Sequence, residues 1–250
     1  MVGPQDAARW SAALVARAGG YLRNPLRVDR VTCAVCTTPV AGYRYCLPCN
    51  GHRSRPGLAD ATAFLTYAIA GHQSGYVMRG YKAPWPLDEH RTVVALLLLL
   101  ALSKHGHCPG ALIGTPVTHW ATVPSLPAKP GEHPLHAIAS GIAPWPEIPL
   151  TGAASAPQPR ALNPDHFRAG GQLTPGAHVL LIDDAWASGG HAQSAALALR
   201  TASAARVSLL VVARWIKEDY GDNATFLRDL ADRDYDPEVC PWTGDACPRD

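Results

Sequence analysis

The segment from residue 178 to residue 191 constrains the fold more than any other part of the chain. His178 and the apolar run at residues 179–182 predict a buried parallel strand, because the run is short, almost continuously apolar and without helical spacing. Asp183 and Asp184 follow at the carboxyl end of this strand. A turn of small residues comes next, before a helix, and consists of Ala187, Ser188, Gly189 and Gly190. The order strand, acid pair, turn and helix predicts an α/β fold with an open, mostly parallel sheet flanked by helices.

The same segment predicts a binding site for a phosphorylated sugar. In open α/β sheets, ligands bind at the carboxyl ends of the strands. A turn without bulky side chains lets backbone N–H groups converge on an anion, and the helix N-terminus adds its positive dipole end. The carboxylates of Asp183 and Asp184 suit sugar hydroxyls or a hydrated Mg²⁺. The simpler alternative is a strand-turn-helix in which the two acids only cap the helix.

The pattern resembles the phosphoribosyl-diphosphate loop of type I phosphoribosyltransferases. This resemblance implies that Asp183 and Asp184 contact the ribose hydroxyls and that Mg²⁺ accompanies the diphosphate. It also implies a turn around the 5′-phosphate, formed by Ala187, Ser188, Gly189, Gly190 and His191. The family usually carries hydroxyl residues at the positions of Ala187 and His191, although the imidazole of His191 is itself able to donate.

A second motif near the N-terminus predicts a metal site. Cys33, Cys36, Cys46 and Cys49 form two CxxC pairs on a short connection, the pattern of a tetrahedral four-thiolate zinc site with a structural role. The alternative is two disulfides, which requires an oxidising compartment. Residues 1–20 lack the continuous apolar core of a secretory signal. We therefore expect structural zinc in a cytoplasmic protein.

A four-cysteine module followed by a phosphoribosyltransferase loop resembles the ComF family of competence-associated, phosphoribosyltransferase-like proteins. The resemblance extends to a basic-aromatic segment at residues 78–82, a Pro-rich loop at 122–127 and an Arg…Asn…Phe stretch at 160–167. It implies that Val123, Pro124 and Ser125 face the pyrophosphate.

The leaving pyrophosphate needs cations near it. The candidates in the sequence are Arg79, Lys82, Lys129 and Arg160, of which Arg160 is favoured because it belongs to a family-like segment. Residues 129–134 depart from the run that usually follows the Pro-rich loop in the family. This departure concerns the flexible catalytic loop more than the fold.

Composition and length fit one α/β domain with a small added module. The chain has 250 residues, of which 47% are apolar and 17% charged, as in ordinary globular proteins. The net charge of +2 provides no large electrostatic argument for nucleic-acid binding. We predict an N-terminal helix and zinc-ribbon-like module at 1–57, the phosphoribosyltransferase-like domain at 58–235 and a cysteine-containing tail at 236–250.

The periodicity predicts the secondary structure in outline. Helices are expected at residues 6–18 and 87–103, and strands at 62–69, within 111–123 and at 206–213. Prolines and glycines make residues 124–164 a loop-rich hood over the site, with at most one short helix near 136–142. The apolar run at 93–102 is too short for a bilayer, which needs about 20 residues, and is therefore interpreted as a core helix.

Three further cysteines have no assigned partner in the sequence. Cys240 and Cys247 are separated by a six-residue gap, which is not a standard zinc-knuckle spacing. The tail either folds back on the N-terminal module and contributes to a second or shared metal site, or keeps free thiols. Cys108 lies beside His105 and His107, either as a further metal site or in a loop with solvated histidines.

Three functions remain open from the sequence. The first is a Mg²⁺-dependent phosphoribosyltransferase that acts on an unidentified acceptor. The second is a regulator that binds the phosphosugar without turnover. The third is a DNA-uptake or recombination accessory whose zinc module contacts nucleic acid or a protein partner. Tyr43 and Tyr45 are either stacking residues for such a site or part of the core of the module.

Overall fold

The sheet at the centre of the molecule has four parallel strands. The computed structural model describes residues 4–249, so the first and last residues of the predicted module and tail lie outside it. The strand order is β1-β6-β5-β2, and every neighbouring pair is parallel. The strands are β1 (Ala61–Ile69), β2 (His119–Thr122), β5 (His178–Trp186) and β6 (Arg206–Ile216). The predicted α/β class with a parallel sheet is confirmed.

Helices cover both faces of this sheet. A small antiparallel hairpin forms a second, two-stranded sheet. The hairpin pairs β3 (Leu150–Gly152) with β4 (Phe167–Ala169), which follows a short 3₁₀ turn. The helices are α1 (Pro4–Ala18), α2 (Leu47–His52), α3 (Gln73–Gly80), α4 (Asp88–His105), α5 (Cys108–Ile113), α6 (Pro134–Ala139), α7 (Gly190–Thr201) and α8 (Asn223–Ala231).

The core divides into two apolar layers because alternate strand residues point to opposite faces. Leu180 and Ile182 of β5 belong to the layer that contains α1, α3 and α4. Val179 and Leu181 belong to the layer that contains α7 and the N-terminal cysteine module. The cysteine module and the helix after the small-residue turn therefore share one face of the sheet.

Several elements differ in extent from the sequence expectations. β5 continues beyond residue 182 to Trp186, because β6 pairs with it over that length and the two acids take part in the sheet. The hood helix runs over Pro134–Ala139 rather than 136–142, since Pro134 is favoured at the first helical position and His133 caps it. The interval 111–123 begins with the end of α5, and its strand is limited to His119–Thr122.

Four of the described helices were not anticipated: α2 in the cysteine module, α3 between β1 and α4, α5 after α4, and α8 after β6. The expected core helix is confirmed, since Val93, Val94, Leu97 and Leu98 of α4 are buried. No helix in the described part of the chain is long and apolar enough to cross a membrane.

We predict that α1 is an integral part of the main core, because it packs against α4. Leu14 of α1 is fully buried, whereas its neighbour Val15 is 43% exposed. Leu14→Ala should lower the free energy of unfolding by about 2–5 kcal/mol, the usual loss on emptying a buried leucine site. Val15→Ala should change it by no more than about 0.5 kcal/mol. Urea unfolding of both variants measures the difference, and equal small effects would contradict this packing.

Candidate functional site

A cavity of about 420 Å³ lies at the carboxyl ends of β2 and β5. Most of its lining comes from three segments far apart in sequence: the end of β2 and the following loop, the hood around Arg160, and the end of β5 with the turn before α7. Lys82, after α3, and Trp215 of β6 complete it. The candidate site residues that line it are Val123, Pro124, Ser125, Arg160, Asp183, Asp184, Ala187, Ser188, Gly189 and His191. Among the predicted site residues outside the cysteine module, Gly190 is the one that does not line the cavity.

Gly190 instead allows the hood to approach the turn. A Cβ atom on Gly190 would lie 2.1 Å from the carbonyl oxygen of Arg160. The same carbonyl accepts a hydrogen bond of 3.3 Å from the hydroxyl of Ser188. These contacts hold the hood against the first turn of α7 and bring Arg160 to the cavity.

Gly189 shapes the turn itself. Its φ of 86° is in the left-handed region, where residues with a side chain are strained. A Cβ there would also lie 2.1 Å from the Trp186 ring. The turn therefore ends in two glycines, and α7 begins immediately after Gly189. The first N–H groups of a helix lack intrahelical acceptors, so this end of α7 is suited to bind an anion.

The two carboxylates at the end of β5 are buried and have different environments. Asp183 is 3% exposed and Asp184 is 8% exposed. The Oδ1 atom of Asp183 accepts from the Asp184 amide at 2.9 Å, but its Oδ2 atom is buried with no hydrogen-bond partner among the described residues. Burial, followed by the adjacent negative charge of Asp184, raises the pKa of Asp183 well above its ordinary value.

Asp184 is held by partners that stabilise its ionised form. The Tyr81 hydroxyl donates to its Oδ2 atom at 2.7 Å, and the Lys82 ammonium pairs with the same oxygen. The imidazole Nε2 of His133 lies 4.0 Å away, from the hood. Burial by itself raises the pKa of Asp184, but the charge and hydrogen bond of Lys82 outweigh it, and the net shift is downward. The pKa values of the two neighbouring carboxyl groups are thus shifted in opposite directions.

Of the four candidate cations, three line the cavity: Lys82, Lys129 and Arg160. Arg79 does not, since its guanidinium lies over the Trp215 ring at 4.9 Å from the centroid. Tyr81 and His133 were missed in the sequence. Tyr81 lay inside a recognised basic-aromatic segment, so its position carried a signal, whereas His133 lay in the least recognisable part of the hood.

His191, the first residue after Gly190, lies between the turn and the hood. Its ring packs 5.1 Å from that of Phe167, and its buried Nε2 atom has no hydrogen-bond partner among the residues described. Burial lowers the pKa of His191 to about 4. At neutral pH the ring is therefore uncharged and carries one N–H donor.

The four N-terminal cysteines converge at a second place, under the α7 face of the sheet. Their sulfur atoms lie within 4.8 Å of one another, and Cys36 and Cys46 are 3.6 Å apart. A tight turn after Cys33 presents the first pair, with the Cys33 amide donating to the Thr38 carbonyl at 2.8 Å. The second pair lies at the start of α2, with Cys46 at the N-cap position and Cys49 inside the helix. These four thiols can hold a metal ion.

A scan against protein-family models matches none of them, and a sequence comparison with curated proteins yields no match.

We predict that Gly190 is required for the contact between hood and turn. Gly190→Ala should lower the free energy of unfolding by about 1–3 kcal/mol, because its methyl group clashes with the Arg160 carbonyl. Gly171→Ala is the control, since a Cβ there meets nothing within 4 Å. Equal urea midpoints for the two variants would show that the hood does not pack against the turn.

We also predict an unusual titration of His191. Its pKa is about 4 in the folded protein and about 6.5 in the unfolded chain. Between these values the unfolded state binds the proton more readily, so His191 should reduce stability as the pH falls from about 6.5 to 4. NMR titration of the imidazole measures its pKa, and His191→Gln should weaken the acid dependence of urea unfolding. A His191 pKa near 6.5 would contradict the burial described above.

Proposed function

We propose that this chain is a phosphoribosyltransferase-like protein of the ComF type, which binds phosphoribosyl diphosphate with Mg²⁺ and transfers the phosphoribosyl group to an acceptor. One observation carries the proposal: three segments distant in sequence, each chosen for its resemblance to that family, line the same cavity at the carboxyl ends of parallel strands. A parallel sheet with helices on both faces is compatible with a phosphoribosyltransferase-like fold.

The proposed 5′-phosphate position is the turn before α7. Gly189 and Gly190 leave the backbone accessible to an anion, and the N-terminus of α7 supplies unpaired N–H groups with a favourable dipole. Ser188 supplies a hydroxyl. The neutral imidazole of His191 supplies an N–H in place of a hydroxyl residue. Neutral donors suit a dianionic phosphate here, because no buried cation has to be desolvated.

The ribose and the metal are assigned to the acid pair. Mg²⁺ prefers carboxylate and phosphate oxygens, and the buried Oδ2 atom of Asp183, without a partner in the described protein, fits this preference. When bound, Mg²⁺ would neutralise charge on the diphosphate. Asp184 would accept hydrogen bonds from the ribose hydroxyls once Lys82 moves toward a phosphate. Tyr81 would keep Asp184 oriented through its hydroxyl.

The basic residues that line the cavity would stabilise the leaving group. Displacement at the anomeric carbon passes through an oxocarbenium-like state, and negative charge accumulates on the departing pyrophosphate. Lys82, Lys129 and Arg160 line the cavity and provide positive charge. The backbone at Val123, Pro124 and Ser125 would face the pyrophosphate. Holding sugar and leaving group in line is the main contribution that such a site makes to the rate.

Zinc is the metal that we propose for Cys33, Cys36, Cys46 and Cys49. Four thiolates provide soft, tetrahedral coordination with no open position, which is typical of structural zinc. A tetrahedron with Zn–S bonds of about 2.3 Å has S–S edges of about 3.8 Å. The Cys36–Cys46 separation of 3.6 Å is close to this value. Zinc would connect the first CxxC turn to α2 and so fold the module.

Two observations favour a regulator without turnover as the second candidate. Ala187 brings no hydroxyl to the phosphate turn, and Asp184 is already paired with Lys82. A protein of this kind would bind phosphoribosyl diphosphate and change its contacts with a partner, without releasing pyrophosphate.

The accessory function of the cysteine module has separate support. A cavity of about 610 Å³ lies between the module and the β6–α8 region, and both Tyr43 and Tyr220 on its lining are 70% exposed. Tyr45 is less suited to stacking on a base, because the Arg53 guanidinium lies over its ring at 4.1 Å from the centroid. Salt-dependent oligonucleotide binding that is lost on Tyr43→Ala would favour this function.

The decisive experiment is calorimetric titration of phosphoribosyl diphosphate in the presence of Mg²⁺. Asp183→Asn/Asp184→Asn should weaken binding at least tenfold, because it removes both anionic groups assigned to the ribose and metal. The control is Asp165→Asn, an exposed acid of the 3₁₀ turn after the hood that does not line the cavity. Cooperative urea unfolding confirms that each variant is folded. Absence of binding by the folded natural protein would refute both the transferase and the regulator.

Pyrophosphate release separates the two phosphosugar functions. Release that depends on an added acceptor would support the transferase. Tight binding without release, over a panel of nucleobases and other amine acceptors, would support the regulator.

A further inference from the structure

The chain after α8 forms almost no regular secondary structure, yet its side chains complete the core. Tyr235, Cys240 and Trp242 are buried in the layer that contains α1 and α4. A segment of this kind loses much conformational entropy on folding and has no helical or sheet ladder to hold it. Individual hydrogen bonds tie it to the N-terminal segment, among them the Tyr235 amide to the Gly19 carbonyl at 3.1 Å and the Asn24 side-chain amide to the Asp236 carbonyl at 2.8 Å.

We propose that His105, Cys108, Cys240 and Cys247 form a second metal site, which holds a structural zinc ion and fastens this C-terminal segment to α4 and α5. The four ligating atoms lie within 4.8 Å of one another. The sulfur atoms of Cys108 and Cys240 are 3.7 Å apart, close to the edge of about 3.8 Å expected for a ZnS₄-like tetrahedron. The Nδ1 atom of His105 lies 3.1 Å from the sulfur of Cys247.

Two of the four proposed ligands lie where α4 ends and α5 begins. His105 is the last residue of α4, and Cys108 is the first of α5. Their spacing of three residues, with Gly106 between them, places both on the same side of the chain. This is a Cys/His pair at knuckle-like spacing, although it is not a CxxC motif.

The other two ligands, Cys240 and Cys247, are brought together by a compact turn. Because this turn folds the residues between them, their spacing differs from that of a zinc knuckle. The Gly244 amide donates to the Cys240 carbonyl, and the Cys240 amide donates to the Asp245 carbonyl, each at 2.8 Å. Gly244 has a φ of 83°, in the left-handed region. These bonds fold the gap back on itself and bring Cys247 beside Cys240.

The cluster is separate from the N-terminal one. Cys108 and Cys240 belong to the α4 layer of the core, whereas Cys33, Cys36 and Cys49 belong to the α7 layer on the other face of the sheet. Of the alternatives that the sequence left open for the tail, a metal shared with the N-terminal cysteines is not favoured, since Cys240 and Cys247 lie with His105 and Cys108. His107 is not in the cluster either.

The donor set favours zinc over the alternatives. None of the three thiols is in a disulfide, and the Cys108–Cys240 separation of 3.7 Å is far above the disulfide bond length of about 2.05 Å. Three thiolates and one imidazole fill a tetrahedral shell and leave no position for water, which makes the site structural rather than catalytic. A surface ion pair between Lys104 and Glu238 supports the same attachment but contributes little to stability.

This site is independent of the proposed phosphosugar chemistry, so the two can fail separately. The metal content of the full chain tests the second metal site. The protein is purified without chelator, and its zinc is measured by mass spectrometry relative to protein concentration. We expect two zinc ions per chain. Cys247→Ser should leave one, whereas Pro248→Ala, the neighbouring control, should leave two. Cys46→Ser should also leave one, by loss from the other site.

Cobalt substitution and proteolysis give readouts that do not depend on stoichiometry. Co²⁺ bound to Cys46→Ser protein should show the d–d and thiolate charge-transfer bands of a Cys₃His site. Removal of the metal should expose the segment after residue 236 to proteases before the rest of the chain. Cys247→Ser protein that unfolds cooperatively in urea but has lost one zinc ion would support a local site rather than a general defect.

Two results would overturn the proposal. One is a single zinc ion per natural chain that Cys247→Ser leaves unchanged. The other is a Cys108–Cys240 disulfide, found by mass spectrometry of protein that was alkylated without reduction.

Discussion

The burial of two adjacent carboxylates at the end of β5 is the interaction on which the candidate site depends. A buried anion is costly unless it is paired or protonated. The two acids differ in how their burial is compensated. Asp184 contacts Tyr81 and Lys82, at the end of α3, whereas Asp183 has a buried oxygen without a hydrogen-bond partner in the described chain. The pKa values of the two acids therefore shift in opposite directions. This asymmetry leaves Asp183 as the acid open to a new ligand.

The sheet also organises the molecule by separating its two faces. The α7 face carries the N-terminal cysteine module and the helix of the phosphate turn, and the α4 face carries α1 and the C-terminal segment. Each face has a small, loop-rich piece that has too little core of its own to fold alone. Each of these pieces also contributes side chains to a cluster that could hold a metal ion. Metal binding at both places would compensate for the shortage of apolar contacts.

Features that depend on neighbouring residues could be predicted from the sequence, whereas contacts between distant residues could not. The residue order from His178 to His191 predicted a strand, an acid pair, a glycine turn and a helix, and all four are present because each depends on neighbouring residues. The two CxxC pairs predicted a cluster for the same reason. In contrast, His133 and the pairing of Lys82 with Asp184 involve partners 51 and 102 residues apart, and no local pattern marks such contacts. The three further cysteines left several alternatives open in the sequence, because the place to which the tail returns is set by packing.

The sequence by itself determined the local chemistry of this protein: which residues form the turn, which glycines permit it, and which thiols occur as ligand pairs. These features follow from backbone preferences and side-chain types within about a dozen residues. Only the tertiary structure decided which segments share a cavity, in which direction the pKa of each acid shifts, and that His105 and Cys108 meet Cys240 and Cys247. The reason is physical: burial and electrostatic coupling arise when distant segments pack, and their strength depends on separation in space rather than along the chain.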